Sequence, residues 1–294
     1  MIKLFLLFIR KLYRAYFKKF KLKKFRKSYI KKNRVILSPE TTSKLIYKII
    51  VENKPSLITR FGRTEFAIIC NYLGIINQKF TYVKFIQENI YENWWNENLK
   101  KQIFKWSGFF PVTDENLHKF SKLYLSLLNK INVLGVYLDD PRCENFLSNR
   151  ISRSVKVDID NLSGFHSEFF WTKALKNKKV LIIHPFSETI EKQYKKKDLI
   201  FENNFLPNFE IKLIKAVQSI SGHDKSFHSW FDALDSMKSH MEKIDFDVAL
   251  IGCGAYGLPL AAHAKKIGKI GFHLGGELQL LFGIIGKRWE DLNL

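Results

Sequence analysis

Five short clusters in this chain of 294 residues carry side chains suited to a phosphorylated ligand. Arg60-Phe61-Gly62-Arg63-Thr64-Glu65 sets two guanidinium groups beside a carboxylate. Asp139-Asp140 offers paired acids, and His184-Pro185-Phe186-Ser187-Glu188 an imidazole with a further carboxylate. His273 stands just before Gly275-Gly276. The fifth cluster, Gly252-Cys253-Gly254-Ala255-Tyr256-Gly257, fits G-x-G-x-x-G. Guanidinium forks match phosphate oxygens bidentately. A carboxylate or imidazole can take the proton of an attacking hydroxyl. Acids can share a divalent cation. Glycines let a ligand reach the free N–H groups that open a helix.

The candidate catalytic residues are therefore Glu65, His184 and Glu188. Candidate substrate contacts are Arg60, Gly62, Arg63, Gly254, Tyr256, Gly257, His273, Gly275 and Gly276, with Gln279 and Arg288 in the last segment. Glu65, Asp139 and Asp140 are the candidate metal ligands. Each has a plainer reading. A strand-end His before Pro is often a packing residue, and paired acids before Pro141 commonly cap a turn. The glycine turn can be a structural strand-to-helix link, and Trp94-Trp95 core or membrane contact.

The elements that must position these groups are legible as alternating runs. Strands are expected at Leu57–Phe61, Val133–Leu138, Val180–Ile183, Phe209–Ile214, Val248–Ile251 and Ile270–Leu274. Helices are expected at Thr64–Leu73, Lys84–Phe104, Asp114–Leu128, His166–Leu175, Glu188–Lys197, Ser229–Lys243, Leu258–Ile267 and Glu277–Phe282. This alternation predicts an α/β, Rossmann-like fold: a mostly parallel sheet with helices on both faces, preceded by an N-terminal basic amphipathic helix. In such a sheet ligands bind beyond the carboxyl ends of the strands. The five clusters follow strands, so they share that rim.

The glycine turn raises the question of a dinucleotide. Its local setting, strand before and helix after, is right. Its place in the chain is not, because dinucleotide domains open with this turn and 37 residues follow Gly257 here. Glu277, 20 residues on, has the spacing of a ribose-binding acid but follows Gly275-Gly276. No NAD is expected; a sugar nucleotide, which also carries a pyrophosphate, fits the turn better.

Charge separates the chain into two regions, a 1–34 arm and a 35–294 domain. Of the formal net charge of +21, residues 1–34 supply +14 with no acid at all. The remainder holds 35 basic and 28 acidic side chains, a surplus of only +7, which argues against a nucleic-acid enzyme. Within the arm, Phe5, Ile9, Leu12, Tyr13, Tyr16, Phe17 and Phe20 share a helical face, opposite Arg10, Lys11, Arg14, Lys18 and Lys21. Such a helix suits an anionic membrane surface. The apolar run Leu4–Ile9 is too short for a signal peptide or a span. Cys70, Cys143 and Cys253 form no zinc pattern and read as reduced thiols. The expectation is a cytoplasmic protein, peripheral on the inner face of the cell membrane.

"SLITRFGRTEF" (56–66) resembles the strand-turn-helix motif R-F-G-D-G-E of the GT-D fold glycosyltransferases, bacterial enzymes of surface polysaccharide synthesis. "VLIIHPFSETIEKQY" (180–194) and "GAYGLPLAAHAKKIGKIGFHLGGELQLLFGIIGKRW" (254–289) are similar to later segments of GT-D-like proteins. The resemblance implies a nucleotide-sugar donor and transfer to a glycan acceptor, lipid-linked if the arm seats on a membrane. It also implies a divalent metal, Mn²⁺ or Mg²⁺, under the donor pyrophosphate, held by an acid-x-acid pair. Here that pair reads Arg63-Thr64-Glu65. A cation cannot ligate a cation, so either Glu65 holds the metal with other acids, or Arg60 and Arg63 neutralise the pyrophosphate directly. The same departure leaves open a non-catalytic, membrane-tethered scaffold of a glycan-assembly complex.

Overall fold

The computed structural model describes residues 2–201, 205–222 and 226–286. The chain opens with α1 (Ile2–Asn33) and α2 (Pro39–Glu52), then β1 (Ser56–Arg60) and α3 (Arg63–Ile75). α4 (Tyr82–Ile86), α5 (Glu97–Ser107) and α6 (Asp114–Leu127) lead to β2 (Val133–Val136), α7 (Arg142–Phe146) and β3 (Val155–Asp158). There follow β4 (Lys179–His184), α8 (Ser187–Tyr194), α9 (Lys197–Ile200), β5 (Glu210–Lys215) and α10 (Trp230–Glu242). β6 (Val248–Ile251), α11 (Gly257–Lys266) and β7 (Ile270–His273) complete the order, with a 3₁₀ stretch over Gly275–Phe282.

The strands form one sheet in the order β3-β2-β1-β7-β6-β4-β5, parallel at every pairing. Helices cover both faces. α3, α6, α10 and α11 pack on one through residues such as Phe66, Phe120, Trp230 and Leu260. α2 and α8 pack on the other through Ile46, Ile50 and Ile190. The Rossmann-like α/β expectation and the leading basic helix are both realised. Strands buried on both faces explain the continuous apolar runs Val248–Ile251 and Val180–Ile183.

The fold departs from the sequence expectation in several places: α7 and the short α9 were not expected, and the helix expected over Glu277–Phe282 is a 3₁₀ stretch. β3 escapes the sequence reading because Ser154-Val155-Lys156-Val157-Asp158 is short and half polar; Lys156 is buried there, its Nζ donating to the carbonyls of Ile151, Ser152 and Ser154. α2 escapes it too, although Ser38 caps the helix and Pro39 opens it. The single helix expected over Lys84–Phe104 is two: Glu88 turns at φ 61°, and Asn96 caps α5 anew. Of the helix expected over His166–Leu175, a 3₁₀ turn at Trp171–Leu175 forms.

α1 docks through charges more than through its aromatic stripe. Arg10 is buried, reaches Glu92 at 2.8 Å and lies 4.5 Å over the Phe85 ring; Arg14 reaches Glu88 at 2.6 Å. Leu6 and Tyr29 are buried, whereas Phe5, Phe8, Leu12 and Tyr16 face outward. The side chains of Phe17, Lys18, Phe20 and Lys21 lie outside the described residues. Among the described residues, no helix is long and apolar enough to cross a membrane.

Candidate active site

β1 ends on Arg60, and after two linking residues α3 begins on Arg63, so one strand-to-helix turn presents both guanidinium groups at the carboxyl edge of the sheet. Tyr137, just past the end of β2, is the platform between them. Its ring centroid lies 4.1 Å from the Arg63 Cζ and 5.8 Å from the Arg60 Cζ, and its hydroxyl accepts from Arg60 at 3.0 Å. Arg60 also holds an ion pair with Glu277, just past β7. Burial opposes charge on Arg60, but Glu277 and Tyr137 outweigh it and hold the guanidinium more firmly protonated than usual. Arg63 pairs with Asp139. Burial works against the Asp139 carboxylate, yet the Arg63 bond and charge keep it below its ordinary range.

Glu65 lies beneath this turn. It sits in the first turn of α3 and folds back over Gly62: a Cβ added there would lie 1.8 Å from its Oε2. Gly62 is thus required by close approach, its φ of −75° being open to any residue. Burial lifts the Glu65 carboxyl above the usual range, while the N–H groups of its own turn, Ser107 and Arg60 pull the other way. The carboxyl faces its own helix start and the end of α5, away from solvent.

The second concentration lies between β4 and β6. The connection from β4 runs outward to β5 through α8, and that from β6 runs the other way to β7 through α11, on the opposite face. Neighbouring strands whose connections leave in opposite directions make the crevice where parallel sheets take ligands. His184, the last residue of β4, lines it against Gly252, where an added Cβ would stand 2.7 Å from its Cδ2. Its Nδ1 accepts from the Phe186 N–H at 3.0 Å, which places the ring proton on Nε2. Burial lowers its pKa to about 4, so at neutral pH it is a neutral ring with one N–H to donate.

His273 is locked from within. Its Nδ1 is 3.0 Å from the Arg60 carbonyl, which can only accept, so that nitrogen carries the proton. Burial first, then the Arg60 charge, lowers its pKa to about 3. Its Nε2 points at Gly257, 2.1 Å from where a Cβ would stand. The other glycines of the turn are similarly engaged. Gly254 adopts φ 57° with the Ser107 carbonyl 3.1 Å from the Cβ site. Tyr256 is buried, stacked on Trp230 with centroids 5.1 Å apart, and hydrogen-bonded to Ser219. Gly275, at φ 64°, packs against Arg60, with Gly276 next in the same 3₁₀ stretch.

The remaining predicted residues scatter. Glu188 is exposed and pairs with Lys215 at the end of β5. Gln279 is buried and donates to the Ile284 carbonyl, tying down the turn that follows the 3₁₀ stretch. Asp140 pairs with Arg142, which also reaches Glu88. Arg288 lies outside the described residues. Glu65, Asp139 and Asp140 thus take separate partners, and among the described residues no three His, Cys, Asp or Glu side chains form a metal-holding group. This donor set does not fit a divalent cation without rearrangement. Tyr137 and Glu277 are absent from the candidate site residues of the sequence: Tyr137 falls inside the strand expected over Val133–Leu138, and Glu277 stands out only by its spacing from the glycine turn.

Residues 37–281 match the family model of the GT-D fold-like domain. No curated protein and no solved structure matches the chain. With its parallel sheet, its arginine turn after β1 and a match covering most of its length, the chain belongs to the family of GT-D-like proteins.

Proposed function

We propose that this protein is a glycosyltransferase that moves a sugar from a nucleotide-sugar donor to a glycan acceptor. The observation that carries the reading is the pair Arg60 and Arg63, set on the Tyr137 ring at the strand ends of a GT-D-like domain. The donor pyrophosphate takes the two guanidinium groups from Glu277 and Asp139. Negative charge builds on the leaving nucleoside diphosphate as the glycosidic bond breaks, and fixed cations aimed at that charge lower the barrier. The His184 Nε2–H donates a further hydrogen bond in the β4/β6 crevice. Of the three candidate bases, Glu188 takes the acceptor proton, since Glu65 is buried and His184 is a donor. Direct neutralisation by arginine replaces the family's metal, because the position of the first acid is Arg63.

The exposed stripe Ile2, Phe5, Phe8, Leu12 and Tyr16, with Lys3 and Lys11 alongside, supports attachment to the anionic inner face of a membrane and hence a lipid-linked acceptor. Flotation of the full chain with anionic vesicles at low salt tests this arm of the reading; a protein left at the bottom of the gradient refutes it.

A thermal-shift panel on the full chain tests the transferase. It sets UDP-, GDP-, CMP- and dTDP-sugars, the free nucleotides and NAD(P) each against EDTA and Mn²⁺. A ligand at 100 times its Kd adds about 2.7 kcal/mol. A shift with one nucleotide family, undiminished by EDTA, is expected; a shift that appears only with Mn²⁺ overturns the arginine reading. The second reading, a non-catalytic scaffold, is favoured by the carboxylates that already neutralise both arginines. It wins if no sugar nucleotide shifts the melting point.

A further inference from the structure

At the amino ends of β2 and β3, opposite the candidate active site, cations gather in two clefts whose linings hold no acid. Two clefts, of about 390 and 380 Å³, open at the amino ends of β2 and β3 and share Asn129 and Arg153. The first also takes in Lys130, Asn132 and Lys265 over an apolar floor of Leu45 and Ile49. The second adds Arg150, Asn149 and Ser152. No carboxylate lines either cleft.

Part of this charge has a local explanation. Lys130 and Lys265 lie near the carboxyl ends of α6 and α11, where cations offset the helix dipole. Lys265 donates to the Lys130 carbonyl and to the Asn132 Oδ1, at 2.7 and 2.8 Å. Arg150 and Arg153 have no such explanation. They project from the α7–β3 connection, and among the described residues neither guanidinium makes an ion pair or a hydrogen bond. The loop that carries them is not slack. Lys156 is buried beneath it and ties down the carbonyls of Ile151, Ser152 and Ser154, adding a further uncompensated positive charge. Burial lowers the Lys156 pKa, and burial with the neighbouring Lys130 charge lowers that of Lys265: both lysines lack an anion. Two free guanidinium forks on an anchored loop, flanked by Asn and Ser donors, suit a group with several acceptor oxygens and negative charge.

We propose that Arg150 and Arg153, with Lys130 and Lys265, form a second binding site that takes a phosphoryl group, distinct from the strand-end rim. The β2 strand separates the two by on the order of 10 Å, so one small anion cannot occupy both. The site does not rest on glycosyl transfer.

Hydrogen exchange on the full chain tests it, read over residues 147–156. Millimolar inorganic phosphate is one probe and vesicles of phosphatidylglycerol in phosphatidylcholine the other. Exchange in this loop slows at least threefold with one or both. The protection disappears in Arg150→Ala/Arg153→Ala, whose side chains are exposed and leave the fold intact, and survives in Arg60→Ala/Arg63→Ala. Protection by soluble phosphate supports the site with a soluble phosphoryl ligand; protection by vesicles alone supports it with a lipid headgroup. No protection from either probe, or protection that the Arg150/Arg153 variant keeps, overturns the proposal.

Discussion

Glu277→Gln separates the two roles that Arg60 could have. The pair is four-fifths buried, with side-chain exposures of 18% and 19%. Losing one partner of a buried pair costs about 3–5 kcal/mol, because the other charge is left without compensation. Here Tyr137 still faces the guanidinium and some solvent reaches it, so the loss falls to about 1–3 kcal/mol. If Arg60 serves the donor diphosphate, the same substitution removes the competitor for that site. Two unit charges 4 Å apart at an effective dielectric constant near 20 interact by about 4 kcal/mol gross, of which the glutamine amide and water recover more than half. A net gain of about 1–2 kcal/mol remains, a 5–30-fold tighter nucleoside diphosphate. Stability and affinity therefore move in opposite directions. Urea unfolding reads the first and titration calorimetry with UDP or GDP the second. Arg60→Ala is the control and loses both. Should Glu277→Gln lose stability and leave nucleotide affinity unchanged or weaker, Arg60 is a structural tie and the rim is not the diphosphate site.

Gly257→Ala drives a Cβ into the buried His273 ring and costs about 2–3 kcal/mol, whereas Gly268→Ala, at φ 83° with open space around it, costs about 1 kcal/mol in backbone strain alone; urea midpoints compare the two. His184 and His273 are neutral in the fold, with pKa values lowered to about 4 and about 3, while the unfolded chain protonates them near 6.5. Their contribution is therefore complete above pH 6.5 and drains as pH falls, at about 1.4 kcal/mol per unit for each histidine; denaturation profiles from pH 7 to 5 that stay flat refute it. Glu144 has the opposite sign. Burial raises its pKa to about 8, so its contribution is present below pH 4.5 and lost as pH rises toward 8. Glu144→Gln, which keeps an acceptor for the Tyr137 N–H, gains about 1–3 kcal/mol at pH 8 and little at pH 5 by the same assay.

The sheet was legible because buried parallel strands are apolar runs; six of the seven could be read, although the edge strand β5 interleaves its apolar residues with Glu210, Lys212 and Lys215. The seventh hides because Lys156, a buried lysine satisfied by carbonyls, breaks its pattern. The arginine turn was legible as a motif, and so was the replacement of its first acid. Its partners were not, since Asp139, Tyr137 and Glu277 arrive 76, 77 and 217 residues away from the arginines they meet. Nothing in local spacing reports such contacts. The arm's aromatic face was legible as well. Its docking was not: Arg10 looks like part of a solvated basic face until Glu88 and Glu92 are brought beneath it.

The strand ends carry two concentrations of chemistry, and their separation bears on the ligand. Arg60 on β1 and His184 on β4 stand three strand spacings apart, about 14 Å. A lone phosphate reaches one or the other. A nucleotide sugar, charged in the middle and long enough to extend both ways, reaches both. The glycines between them are engaged by protein: His273 fills the space over Gly257, and the Ser107 carbonyl closes on Gly254. A spacing that suggests a dinucleotide cradle thus serves first to seat α11 tightly against the sheet. If the protein takes a nucleotide-sugar donor as proposed, the two concentrations divide the labour. Arg60→Ala weakens UDP or GDP and the corresponding whole donor alike. His184→Ala leaves the nucleoside diphosphate nearly untouched and weakens only the whole donor, by about tenfold for one lost hydrogen bond of about 1.4 kcal/mol. Calorimetry with both ligands on both variants decides it, and equal losses for His184→Ala would mean that a single compact site, not an extended one, lies across the sheet.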